Sequence, residues 1–315
     1  MREIIRKVPI PTAGVALGLA ALGNLLQPYT EIVHIVCGIL SLVLIAMLGA
    51  KIALFPDMIR DDLHNSIMAS VSATLFMTLM QLAGYLAPFA YIPAFALWSA
   101  AVVAHLALMG WFTARFISHF KLHEVFPTYF ICYVGIVVAS VTSPTFGMEA
   151  VGHLLFWFGF ACYVVLLGLV TYRYMKHEIP ESARPLFCIY TAPMSLSLVG
   201  YLATAPQPNL VFVLAMLVLA QVLFAVVLSR LPVLLRLRFY PSYAAMTFPF
   251  VITATALGKA LAFFQANGFA VPEGLNVLFA AEAAVSVVMV GYVFIHYLHF
   301  FFMRIEEQKR AAVIR

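Results

Sequence analysis

Residues 209–232 read NLVFVLAMLVLAQVLFAVVLSRLP, and this apolar run decides the fold class. Only Gln221 and Ser229 interrupt it before Arg230. An α-helix needs about 20 consecutive apolar residues to cross the hydrocarbon core of a bilayer. The segment is long enough, so it predicts a membrane-spanning helix.

The composition extends this conclusion to the whole chain. Hydrophobic residues make up 64% of the 315 residues, and charged residues make up only 10%. Soluble domains contain about 45–50% apolar and about 25% charged residues. The composition therefore excludes a soluble enzyme, a nucleic-acid-binding domain and a disordered chain. Transmembrane β-barrels show only weak, alternating segments, so the long apolar runs favour a helical protein.

Apolar runs between polar or proline-rich breaks predict ten membrane spans within a single transmembrane domain, residues 1–315. The predicted class is an all-α polytopic membrane protein. The spans lie near 9–26, 31–54, 64–87, 91–116, 124–142, 148–173, 185–204, 209–232, 243–266 and 273–302.

The basic residues predict the orientation. The connections after spans 1, 3, 5, 7 and 9 carry no Lys or Arg, and the termini and the other connections hold all 18 except Lys259. Because cytoplasmic loops are enriched in Lys and Arg, both termini are expected in the cytoplasm. The C-terminal group consists of Arg304, Lys309, Arg310 and Arg315. These dispersed charges favour contact with anionic lipid and not with nucleic acid.

Prolines mark an internal repeat in the odd-numbered spans. Pro127, Pro193 and Pro249 are 66 and 56 residues apart, and Pro11 precedes Pro127 by 116. Span 3 has no proline at the corresponding place, where residues 68–72 read MASVS. The pattern predicts five helical hairpins with kinked first helices, because proline removes a backbone hydrogen bond.

Small and hydroxyl residues follow each marked position, whereas the even spans are rich in Leu, Val, Phe and Ala. This difference predicts odd helices around a central axis and even helices facing lipid. The alternative is that small residues only allow close helix packing. The candidate pore-lining or kink residues are Pro11, Thr12, Gly14, Ser70, Ser72, Pro127, Thr128, Pro193, Ser195, Thr247, Pro249 and Thr253.

Ionisable residues inside spans are the usual functional candidates in membrane proteins, and few occur here. Lys259 and Glu282 lie in neighbouring spans and are expected to form an ion pair, although Lys259 could instead attract anions. Catalytic sequence motifs are absent, and the histidines lack the paired arrangement of a haem site. The protein is therefore not expected to be an enzyme, and no catalytic residue, metal ligand or cofactor is predicted.

The segments Ile10-Pro11-Thr12 and Met246-Thr247-Phe248-Pro249, with the five hairpins, resemble the tellurite-resistance/dicarboxylate transporter family, which includes plant guard-cell slow anion channels. The resemblance implies a homotrimer with one pore in each protomer. It also implies ten helices around a quasi-fivefold axis and an aromatic plug, Phe248. The equivalent positions before the repeat prolines would complete an apolar ring: Ile10, Met68, Phe126 and Ala192.

These observations together predict a gated anion channel of the bacterial inner membrane. We expect loose selectivity among small monovalent anions such as chloride and nitrate, with tellurite as a further candidate, because conduction requires weak binding. A proton-coupled secondary transporter for oxyanions or C4-dicarboxylates is the alternative, and it would need Lys259, Glu282 or His105. A membrane scaffold without transport is disfavoured by the short loops.

Overall fold

The computed structural model describes residues 2–313, and the side chains of residues 2–302. Of the predicted C-terminal basic group, Arg315 lies outside the described residues, as do the side chains of Arg304, Lys309 and Arg310. The described part of the chain is helical and contains no strand. Its α-helices are α1 (Arg2–Lys7), α2 (Thr12–Leu26), α3 (Glu31–Leu54), α4 (Pro56–Asp62), α5 (Ser66–Val71), α6 (Ala73–Leu86), α7 (Tyr91–Phe112), α8 (Thr128–Tyr133), α9 (Val137–Thr142), α10 (Glu149–Lys176), α11 (Ala192–Thr204), α12 (Leu210–Leu234), α13 (Phe248–Ala266) and α14 (Glu273–Val313).

Eight helical segments in the described residues are long and apolar enough to cross a membrane. They coincide with eight of the ten predicted spans: Glu31–Leu54, Ser66–Leu86, Tyr91–Ile117, Glu149–Lys176, Glu181–Thr204, Leu210–Leu234, Pro241–Ala266 and Glu273–Phe302. The first and fifth predicted spans contain the shorter apolar helices Thr12–Leu26 and Val137–Phe146. The count of ten crossings stays a prediction.

The repeat prolines lie where α-helices begin, and Pro193 and Pro249 fall inside the membrane-length segments Glu181–Thr204 and Pro241–Ala266, so the predicted kinks stay a prediction. Pro11 and Pro127 directly precede α2 and α8, and Pro193 and Pro249 are the second residues of α11 and α13. A proline in the first helical turn loses no hydrogen bond, since the amides there have no partner within the helix. Span 3, without a proline, is also broken, because Ser72 separates α5 from α6.

Burial divides the segments into two groups, which we call inner and outer. The inner segments contain α2, α5–α6, α8–α9, α11 and α13, and the outer helices are α3, α7, α10, α12 and α14. In the most apolar window of each long segment, 61–83% of residues are buried in the inner group, compared with 28–39% in the outer group. Along the inner group, α2 contacts α6, α6 contacts α9, α9 contacts α11, α11 contacts α13, and α13 contacts α2.

Gly18 sets the closest approach between α2 and α13. A Cβ atom on Gly18 would lie 2.5 Å from the Thr247 Cβ and 3.1 Å from the Phe248 nitrogen. At this contact the Thr247 hydroxyl donates a hydrogen bond of 3.0 Å to the Gly14 carbonyl. The absence of a side chain at Gly18 therefore fixes the position of the start of α13.

We expect Gly18→Ala to lower the free energy of unfolding by about 1–3 kcal/mol, because the added methyl group overpacks the contact with Thr247. Gly49→Ala is the matched control, since a Cβ there meets nothing within 4 Å. It should leave stability unchanged or raise it by up to about 1 kcal/mol through helix propensity. Thermal unfolding in detergent measures both variants, and equal melting temperatures would contradict the close-approach argument.

Candidate pore

A cavity of about 250 Å³ lies among the inner segments. Each inner segment contributes to its wall, for example through Leu17, Met77, Phe130, Leu196 and Phe248. No Asp, Glu, His, Lys or Arg side chain of the described residues lines it. The cavity is thus an uncharged, mainly apolar space.

The residues of the cavity wall differ in their exposure. The wall includes the exposed residues Asn65 and Ser182 and the half-buried Tyr240. It also includes buried residues, among them Leu17 and Phe248. Asn65, Ser182 and Tyr240 belong to connections that the basic residues assign to the cytoplasmic side. In that orientation the exposed part of the wall lies towards the cytoplasm.

The cavity wall contains only part of the residues predicted to line a pore. It contains Pro11, Gly14, Met68, Ala192, Pro193, Phe248 and Pro249. The other predicted positions are not in the wall: Ile10, Thr12, Ser70, Ser72, Phe126, Pro127, Thr128, Ser195, Thr247 and Thr253. The cavity includes the ring positions Met68, Ala192 and Phe248, and the remaining pore-lining positions stay predictions.

Several hydroxyl groups of the inner segments bond to neighbouring segments. Ser70 donates a hydrogen bond of 2.8 Å to the Thr128 hydroxyl, which joins α5 to α8. Thr253 of α13 is hydrogen-bonded to Thr191 at 2.5 Å and to Ser195 at 3.1 Å. A hydroxyl group without a partner is costly in apolar surroundings, so these groups satisfy one another between segments.

The residues that line the cavity but were not predicted follow helical periodicity. Leu17 comes six residues after Pro11 and three after the predicted Gly14, and Leu196 comes three residues after Pro193. Phe130 and Val134 come three and seven residues after Pro127. Positions three and four residues apart share a helix face, so extending the pattern from each proline would have identified them.

Phe126 does not occupy a place equivalent to that of Phe248. Its ring lies against the Arg173 guanidinium, with the Cζ atom 4.3 Å from the ring centroid. Arg173 is almost fully buried and also donates to the His123 carbonyl at 3.2 Å. The sequence places Arg173 at the cytoplasmic end of span 6 and does not predict this contact. Phe126, which is held by Arg173, is not in the cavity wall.

Lys259 and Glu282 do not form the expected ion pair. Lys259 is exposed on α13, whereas Glu282 on α14 is only 2% exposed. Neither carboxylate oxygen of Glu282 has a hydrogen-bond partner among the described residues. The hairpin places the two residues on neighbouring helices, but their side chains are in different environments.

The helical segments and the uncharged cavity together define a multi-pass membrane protein with a candidate transport pathway. The sequence model of the voltage-dependent anion channel family, SLAC1, matches residues 7–298. The chain belongs to this family, whose members are channels and transporters and not enzymes. A comparison with curated proteins gave no match.

The cavity wall can be tested by the reactivity of introduced cysteines. Met68 is half-buried in the wall, whereas Ser70 is buried behind it. In a Cys162→Ala background, Met68→Cys should react with a membrane-impermeant thiol reagent from the cytoplasmic side, and Ser70→Cys should not. The remaining cysteines, Cys37, Cys132 and Cys188, are buried. Equal labelling of the two variants would contradict the assignment of the wall.

The hydroxyl contacts between segments can be tested with two neighbouring threonines. Thr253→Val removes two hydrogen bonds to another segment and leaves the buried Thr191 hydroxyl without a partner, which should cost about 1–3 kcal/mol. Thr255→Val is the matched control, because its hydroxyl bonds only to the Val251 carbonyl of the same helix. Unfolding in mixed micelles measures the difference, and equal losses would overturn this account.

Proposed function

We propose that this protein is a gated anion channel in which the Phe248 side chain plugs the pore. The observation that carries the proposal is that the buried Phe248 side chain belongs to the wall of a cavity formed by the inner segments. A bulky aromatic ring there blocks further passage. Gating then consists of moving this ring away from the axis.

The proposed architecture is five helical hairpins around a quasi-fivefold axis, with ten membrane crossings. Its support is the sequence of contacts through the inner segments, which returns from α13 to α2. The greater burial of the inner segments is in keeping with this arrangement. Under the proposal the outer helices face lipid and other protomers through their apolar surfaces.

The uncharged wall favours a channel over a coupled carrier. Conduction requires that an ion is bound weakly enough to leave, and a wall without ionisable groups offers no tight site. A proton-coupled carrier would need a titratable group beside the substrate. Glu282 and His105 lie on the outer helices α14 and α7, and neither lines the cavity. We therefore favour the channel over a carrier for oxyanions or C4-dicarboxylates.

The remaining parts of the proposal follow from the family resemblance. Within the family the chain resembles the bacterial tellurite-resistance protein TehA through its segments at Pro11 and Pro249. We propose a homotrimer in the bacterial inner membrane that conducts small monovalent anions such as chloride and nitrate. Selectivity would be loose and set by the cost of dehydrating each anion, and tellurite is the further candidate substrate.

Phe248→Ala should open the pore and produce a steady anion current where the wild-type protein is nearly silent. The current can be recorded in oocytes or a planar bilayer with chloride and nitrate as charge carriers. Removal of the ring leaves a gap in the wall of the cavity, and water and ions can enter it. The relative permeability of the anions then reports on dehydration in the open pore.

Two further variants separate plugging from general damage. Phe248→Trp retains a large ring and should remain closed. Phe250→Leu alters a fully buried ring that packs on Phe224 of α12, and it should not open the pore. If Phe248→Ala reaches the membrane and carries no more current than the wild type, the proposed plug is wrong.

A further inference from the structure

Lys259 lies on the same face of α13 as the plug residue Phe248. The two residues are eleven positions apart, which corresponds to about three turns of an α-helix. Thr255 lies between them on this face and is half-buried, whereas Lys259 itself is exposed. This face of α13 is therefore buried at Phe248 and exposed at Lys259.

Neighbouring helices cover the other faces of α13. Thr253 bonds to residues next to or within α11, and Phe250 packs edge-on against Phe224 of α12. A Cβ on Gly258 would meet the Phe279 ring of α14, and Thr247 bonds to Gly14 of α2. The exposed face with Lys259 is consequently directed to the space between the inner segments, about three turns along α13 from the cavity residue Phe248.

Two amide side chains lie on adjacent inner segments, each about two helical turns beyond a cavity residue. Asn24 on α2 comes seven residues after the cavity residue Leu17, and Gln81 on α6 comes seven after Thr74, which also lines the cavity. Asn24 is exposed and donates a hydrogen bond of 2.6 Å to the Gln81 side chain. Three adjacent inner segments thus supply polar groups beyond the plug, which we call the outer mouth: Asn24, Gln81 and Lys259.

The charge distribution gives Lys259 a special position. In the predicted orientation it is the one basic residue outside the cytoplasmic segments. The acidic residues of the outer surface, Glu31, Glu149 and Glu273, lie in the first turns of the outer helices α3, α10 and α14. Lys259 forms no ion pair with the carboxylates of the described residues. Negative charge therefore lies at the perimeter, and one uncompensated positive charge lies on the inner segments.

We propose that the Lys259 ammonium is an anion-capture site that concentrates small inorganic anions at the outer mouth of the pore. This inference rests on the proposed channel function. A fixed charge in a cleft with low-dielectric walls raises the local concentration of counter-ions. Its effect decays with the Debye length, about 30 Å at 0.01 M salt and about 3 Å at 1 M. The contribution of Lys259 must therefore be large in dilute salt and small in concentrated salt.

The test uses single-channel recording of the Phe248→Ala protein with chloride on the outer side. We expect Lys259→Gln to reduce inward chloride flux about threefold or more at about 0.01 M salt, and to have little effect at about 1 M. Lys259→Arg keeps the charge and should retain the flux at both concentrations. Arg230→Gln, which removes an exposed charge from the outer helix α12, should leave the flux unchanged.

The outcomes separate this inference from the channel proposal. If Phe248→Ala carries no current, the channel proposal fails, and the anion-capture role of Lys259 fails with it because that role requires a pore. If Phe248→Ala conducts and Lys259→Gln matches it at low salt, the capture site alone is wrong. An equal reduction at both salt concentrations would also overturn the inference, because it would indicate altered packing and not a screened charge.

Discussion

The structure depends on one constraint, which is that polar groups in apolar surroundings must find partners within the protein. Several hydroxyl side chains of the inner segments meet this requirement by bonding to adjacent segments, as Ser70 does with Thr128 and Thr253 does with Ser195. These bonds hold the inner segments together and leave an uncharged, mainly apolar wall around the cavity. The same bonds that stabilise the bundle therefore occupy hydroxyl groups that could otherwise face the cavity.

The position of Phe248 follows from this packing. The Thr247 hydroxyl is fixed to the Gly14 carbonyl, and Gly18 allows α2 to lie directly against the backbone at Phe248. The backbone of Phe248 is thus held by a neighbouring segment, while its side chain contributes to the cavity wall. A rigid backbone with a ring at the cavity is suited to gating by side-chain rotation, which needs no large movement of the helices.

Sequence alone identified the helical class and eight of the long apolar segments, because these depend on composition and local periodicity. The sequence did not predict which side chains form hydrogen bonds to neighbouring segments. Ser195 and Thr253 were assigned to the pore because small polar residues suit both packing and an aqueous surface, and only the three-dimensional contacts distinguish the two roles. The Arg173 contact with Phe126 joins residues far apart in the sequence, and the missing Lys259–Glu282 pair depends on side-chain direction.

The prolines that begin the inner helices have an electrostatic consequence. Helices α2, α11 and α13 start at Thr12, Ala192 and Phe248, next to or within the cavity wall. Their first amides are not free, because Thr12, Ala13 and Gly14 donate to carbonyls of the preceding turn, and α11 continues from the helical turns Glu181–Thr191. What α2 and α13 bring to the cavity is the positive end of the helix macrodipole, a diffuse positive potential without a cationic side chain. An anion can be favoured over a cation in this space and still be held too weakly to remain.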